Sequence, residues 1–252
     1  MDIVTPHRIR CAEVWGGIEQ IDRDIVTGGL TASVYSKASG GSRGGDMYYF
    51  SVCGGDQLTR IVLADVQGHG ESIAQVSAWL YELVRDSLES LDATGVLTTL
   101  NTRMLQHASQ ITATVAIVSY YLGDRTLYFS YAGHPPVLLQ KRTGKVWKPL
   151  DLTDDNRGLV NLPLGMFPHV GYSQETASVE AGDRVFVYSD GITEYPSAQG
   201  EPIGPEWLIE HLEARSDHST AELKRTVLAG LTGENAAGAD HDDMTLMVVE
   251  VN

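Results

Sequence analysis

Cysteine is almost absent from this chain: two occur in 252 residues, Cys11 and Cys53, with no CxxC spacing and no histidine pattern beside them. That excludes a disulfide-stapled scaffold and a zinc ribbon, and both thiols read as reduced and structural. Positive charge is also scarce, with 18 Lys and Arg against 33 Asp and Glu and a net charge of −15. Such a balance leaves no basic stripe for nucleic acid or an anionic membrane surface. Long hydrophobic runs are missing too. Nothing approaches the ~18 consecutive apolar residues of a membrane-spanning helix, and the start MDIVTPHRIR is charged where a signal peptide carries its apolar core. With no internal repeat and no linker, one cytoplasmic domain over 1–252 is expected, and 42% hydrophobic residues suffice for its core.

Short apolar runs punctuated by glycine are abundant. Before residue 40 they predict one or two strands (VWGGI, TGGL). Strand patterns over 48–52 and 58–64, separated by GGDQ, predict a hairpin. In an antiparallel pair the start of one strand lies beside the end of the next, so Asp46 and Asp65 are expected as neighbours. After Gly70 the period changes: Ile73, Val76, Leu80, Leu83, Val84, Leu88 and Leu91 recur at three- and four-residue steps. A second helical stripe runs through Val96, Leu97, Leu100, Met104 and Leu105, with Thr94-Gly95 as the break. Strand signals return over 112–122, 126–131 and 137–141 and near Val146, and the Pro- and Gly-rich stretch 151–168 reads as a long loop. Strands over 172–179 and 184–188, helices over 205–214 and 220–231 and a closing strand over 244–251 complete the prediction. The class is α+β, a central antiparallel β-sandwich flanked by pairs of α-helices.

Residues 61–73, IVLADVQGHGESI, end an apolar strand in a lone carboxylate, Asp65. VYSDG and HDDMT repeat that arrangement at Asp190 and at Asp242 and Asp243, and GGDMYYF adds Asp46. Each one singly is explained by a turn whose amides satisfy the carboxylate. Gathered at one edge of a sandwich, the carboxylates of these four strand ends would repel each other unless a cation lay between them. Oxygen ligands without a Cys or His ladder select hard ions, Mg2+ or Mn2+ ahead of Ca2+.

GGD at 44–46, ADVQGHG at 64–70, AGHPPVLL at 132–139, LPLGM at 162–166, AGDRVFVYSDGITE at 181–194 and DDMTLMVVEV at 242–251 stand in a definite order. In that order and spacing the chain resembles the metal-dependent serine/threonine phosphatases of the protein phosphatase 2C (PPM) superfamily. Within it, the chain is similar to the bacterial branch typified by the sporulation stage II protein E phosphatase domain. The resemblance runs from about residue 41 to the C-terminus. It implies a site for two Mn2+ or Mg2+ ions: Asp65 bridging both, Asp46 and the backbone carbonyl of Val66 on one, Asp190 and Asp242 on the other. Asp243, one residue along, points to the opposite face. The implied reaction is hydrolysis of phosphoserine or phosphothreonine by water that the metals activate, with Asp65 at its centre. The implied partner is a phosphorylated protein, an anti-sigma-factor antagonist in a partner-switching circuit. Regulation is implied through the helices within 70–108, by a partner or by self-association.

Other residues hold two readings each. His69 is a candidate acid for the serine leaving oxygen, against a structural turn role. His134 reads as structural, and His241 as orienting the adjacent ligand. Arg43 is a candidate phosphate holder, against a solvated arginine. Ser189 has no patterned His/Asp partner, and neither Cys sits in a phosphate-cradling loop, so no covalent route is indicated. Two competing functions stand beside the phosphatase: a silent phosphoprotein-binding module of the same fold, and a hydrolase of small phosphoesters.

Overall fold

β-branched and aromatic residues form most of the strands, and their side chains pack in three apolar layers. The computed structural model of the protein describes residues 6–39, 43–87, 91–107, 110–153, 158–234 and 242–252. The N-terminal half comprises β1 (His7–Arg8), β2 (Val14–Glu19), β3 (Ile21–Val26), β4 (Leu30–Lys37), β5 (Arg43–Cys53), β6 (Leu58–Val66), α1 (Glu71–Ser87) and α2 (Ala93–His107). There follow β7 (Ala113–Tyr121), β8 (Thr126–Ala132), β9 (Leu138–Gln140), β10 (Trp147–Pro149), β11 (Glu175–Ser178) and β12 (Arg184–Tyr188). The chain closes with α3 (Asp190–Thr193), α4 (Gly204–Glu213), α5 (Thr220–Glu234) and β13 (Met244–Val251).

One sheet runs β1-β3-β4-β13-β12-β9-β10 and the other β11-β8-β7-β6-β5-β2. Strand β6 shows why they stack. Its residues are apolar on both faces, Ile61 and Leu63 pointing into the core between the sheets and Val62, Ala64 and Val66 toward the helices. The inter-sheet core also holds Val34, Phe50, Val118, Val187 and Met247. Leu80 of α1 and Leu97 and Leu100 of α2 cover the outer face of β5–β7, and Leu208, Leu212 and Val227 of α4 and α5 cover Phe186 and Val248. This α/β/β/α layering is the sandwich flanked by helix pairs that the pattern predicts. Among the described residues no helix is long and apolar enough to cross a membrane. Both cysteines are free.

The elements depart from expectation in three places. Four strands, rather than one or two, precede residue 38, because the glycines that suggest turns lie within strand β2 as well as between strands. Thr94 and Gly95 do not break the helical pair; they sit in the first turn of α2, where Asp92 Oδ1 accepts the amides of Thr94 (3.1 Å) and Gly95 (3.3 Å). Leu91 lies outside both helices, and Leu88 lies outside the described residues. The third departure is α3, one short turn after β12 that no periodicity announces.

Candidate active site

Strand pairing assembles the acidic edge. Asp46 of β5 stands directly opposite Asp65 of β6, so the hairpin places two carboxylates on neighbouring strands. In the other sheet β12 ends at Tyr188, opposite Leu246 of β13, and the Ser189 amide reaches Thr245 O at 2.9 Å. Asp190, which opens α3, and Asp242, two residues before β13, therefore emerge at the same edge. The sheets are tied together there, because Ser189 Oγ donates to Asp46 Oδ2 at 2.8 Å.

Electrostatics couple the carboxylates to one another. Burial first, and then Asp46, Asp190, Asp242 and Asp243, push the Asp65 carboxyl up to about 9. Burial likewise pushes Asp46 up to about 7, against the hydroxyls of Thr245 and Ser189. Asp190 is raised by burial, then by Glu194 and Asp242. Asp46 Oδ1 is buried without a hydrogen-bond partner, and no hydrogen bond reaches the Asp65 carboxylate among the described residues. Among those residues, no three acidic or histidine side chains close into a ready coordination cage. What exists is a set of mutually repelling carboxylates, one with an orphaned buried oxygen. An all-oxygen donor set of that charge fits a hard divalent cation.

The backbone around Asp46 is shaped to match. Gly45 lies against the Val66 carbonyl, which a Cβ at position 45 would approach to 2.5 Å, and against Asp65 Oδ1. The Gly45 carbonyl accepts Ser77 Oγ of α1 at 2.9 Å, so the helix after the GHG bend touches the residue preceding Asp46.

The remaining candidates lie elsewhere. His69 is exposed in the loop between β6 and α1 and makes no hydrogen bond or ion pair among the described residues. His134 is buried, its Nδ1 2.9 Å from Pro135 O, and desolvation holds it down to about 4, so it is neutral and part of its turn. Arg43 is 53% exposed and pairs with Glu19 at 3.2 Å, which is the solvated-arginine reading. His241 lies outside the described residues. Sequence reasoning missed Ser189 and Asp243 as organisers of the edge; the Gly44-Gly45 pair, needed for close approach, was the available signal.

A sequence profile of the Stage II sporulation protein E (SpoIIE) family matches residues 55–252. The chain is 26% identical over 211 residues to the phosphoserine phosphatase RsbU of Bacillus subtilis, covering 81% of this chain and 58% of that protein. In fold it is similar to the RsbU and RsbW domains of Rv1364c from Mycobacterium tuberculosis, with a TM-score of 0.77 at 21% identity over 94% of this chain and 63% of that one. RsbX crystallised with magnesium superposes with a TM-score of 0.67 at 19% identity, over 92% of this chain and 100% of that one.

Proposed function

This chain belongs to the stage II sporulation protein E family, and from that premise we infer that it is a divalent-metal-dependent phosphatase acting on phosphoserine or phosphothreonine in a protein. The observation that carries the reading is the acidic edge: Asp46, Asp65, Asp190 and Asp242 gathered from two sheets, with Asp65 pushed up to about 9 by burial and its neighbours. Asp65 would serve both of two Mn2+ or Mg2+ ions, which Asp46 and the Val66 carbonyl would hold on one side and Asp190 and Asp242 on the other. Bound there, such ions supply Lewis acidity toward phosphoryl oxygens and make water acidic enough to ionise near neutral pH.

The chain's own residues hold and orient. Ser189 is 1% exposed and its hydroxyl is committed to Asp46, so it is not free to attack phosphorus. His69, exposed four residues beyond Asp65, is a candidate proton donor to the serine leaving oxygen, against a structural turn role. The substrate is a phosphorylated cytoplasmic protein, an anti-sigma-factor antagonist of a partner-switching circuit, and control enters through α1 and α2, because Ser77 connects α1 to the strand of Asp46.

The test is hydrolysis of a phosphoserine peptide and of p-nitrophenyl phosphate by chelator-stripped protein, titrated with Mn2+ and with Mg2+. Turnover restored by metal and absent from Asp65→Asn is expected. Activity confined to p-nitrophenyl phosphate would replace the protein substrate by a small phosphoester, and silence with every ion would leave a binding module.

A further inference from the structure

Asp242 and Asp243 are adjacent in sequence, yet the second carboxylate is turned into the protein. Asp243 is 5% exposed. Its Oδ1 accepts the Ser39 amide at 2.7 Å, and its Oδ2 accepts the amides of Gly45 and of Asp46 (3.3 Å). Its own amide donates to Asp242 Oδ1 at 2.8 Å. A Cβ at position 44 would overlap the Asp243 carboxylate, so glycine there is what lets the acid seat. Ser189 completes the arrangement. Its hydroxyl accepts the Thr245 amide at 3.0 Å and lies 2.8 Å from Asp46 Oδ2 and 3.4 Å from the Asp243 carbonyl.

We propose that Asp243 and Ser189 form a clamp that positions Asp46 for its cation, the acid fixing the main chain at residues 45 and 46 and the hydroxyl fixing one carboxylate oxygen. Neither is a ligand. The inference rests on the metal-site reading above and deepens it. With Oδ2 held by Ser189, the unpartnered oxygen is Oδ1. The chemistry also explains why position 243 holds an acid. A carboxylate accepts on both oxygens, whereas an asparagine would set its NH2 against Ser39 N–H on one side or Gly45 and Asp46 N–H on the other.

The experiment is calorimetric titration of the full chain, stripped with chelator, with Mn2+, at a temperature where circular dichroism shows each variant folded. Asp243→Asn is expected to weaken Mn2+ binding by about 10- to 100-fold, the usual cost of losing a residue that orients a ligand. Ser189→Ala is expected to weaken it about 10-fold. The control is Asp183→Asn, at the opposite end of β12. Asp183 is also a buried acid, accepting the amides of Arg142 (2.8 Å) and Glu180 (2.9 Å), but it is remote from the aspartates. Its substitution should lower the melting temperature and leave Mn2+ affinity unchanged. Wild-type affinity in both Asp243→Asn and Ser189→Ala overturns the clamp; should Asp243→Asn not fold, Ser189→Ala decides alone. A wild-type protein that binds no Mn2+ overturns the metal site and the clamp together, an outcome distinct from tight binding shared by wild type and variants.

Discussion

Replacing Asp65 by Asn is expected to stabilise the metal-stripped protein while abolishing its response to Mn2+. Burial and four neighbouring aspartates hold the Asp65 carboxyl at about 9, against an ordinary value of 3.8. At pH 7 the folded chain therefore keeps a proton that the unfolded chain has released. The cost is about 1.4 kcal/mol for each pH unit above 3.8, or about 4 kcal/mol over roughly 3.2 units. Asparagine carries no such cost, and among the described residues it forfeits no hydrogen bond made by the acid. Part of the repulsion is shared with Asp46, so the net gain is about 2–4 kcal/mol. At about 2–4 °C per kcal/mol for a chain of this size, the melting temperature should rise by about 4–16 °C. Because the folded value is raised, the penalty is absent below 3.8 and builds as pH climbs through the window from about 4 to 9. Differential scanning calorimetry of chelator-treated protein at pH 4, 5.5 and 7 should show the gap closing toward pH 4. Adding Mn2+ at about 100 times its dissociation constant should stabilise the wild type by about 2.7 kcal/mol and the variant not at all. Wild type and variant melting together at pH 7, or a gap that widens toward pH 4, would exclude a buried, protonated Asp65 in the metal-free protein.

Proton release on metal binding follows from the same groups. At pH 7 Asp65 is protonated and Asp46, pushed up to about 7, is about half so. Calorimetry in two buffers of different ionisation enthalpy should therefore report between about one and two protons released as Mn2+ binds, with affinity rising from pH 6 to 9; zero protons would contradict the raised carboxyls. Asp190→Asn should keep the far-ultraviolet spectrum and lose at least about 100-fold in metal-dependent turnover, and near-normal turnover would remove Asp190 from the ligand set. Asp92→Ala deletes the side chain that caps α2 and should cost about 0.5–2 kcal/mol in urea denaturation without touching Mn2+ affinity.

Much of this molecule is set by local pattern. The closing strands β12 and β13 fall at Arg184–Tyr188 and Met244–Val251, where the apolar runs predict them. Period 3.6 after Gly70 yields α1. The hairpin turn fixes register, and register alone brings Asp46 opposite Asp65. Where local signals compete, the pattern misleads. Gly95 looks like a break and is a first-turn residue, because the side chain of Asp92 satisfies the amides there. Strand alternation sets Asp243 on the face opposite Asp242, but what each of these two acids meets is beyond any local reading. They share one side chain, one neighbourhood in sequence and one position at a strand start. Packing of the two sheets brings the amides of Gly45 and Asp46 to Asp243 from 198 and 197 residues away, and fixes it as an internal anchor. The chain by itself determined which elements form and which aspartates end them, since both depend on near neighbours. Which amides Asp243 meets was left to the tertiary structure, because a hydrogen-bond partner so distant in sequence leaves no mark on the residues around its acceptor.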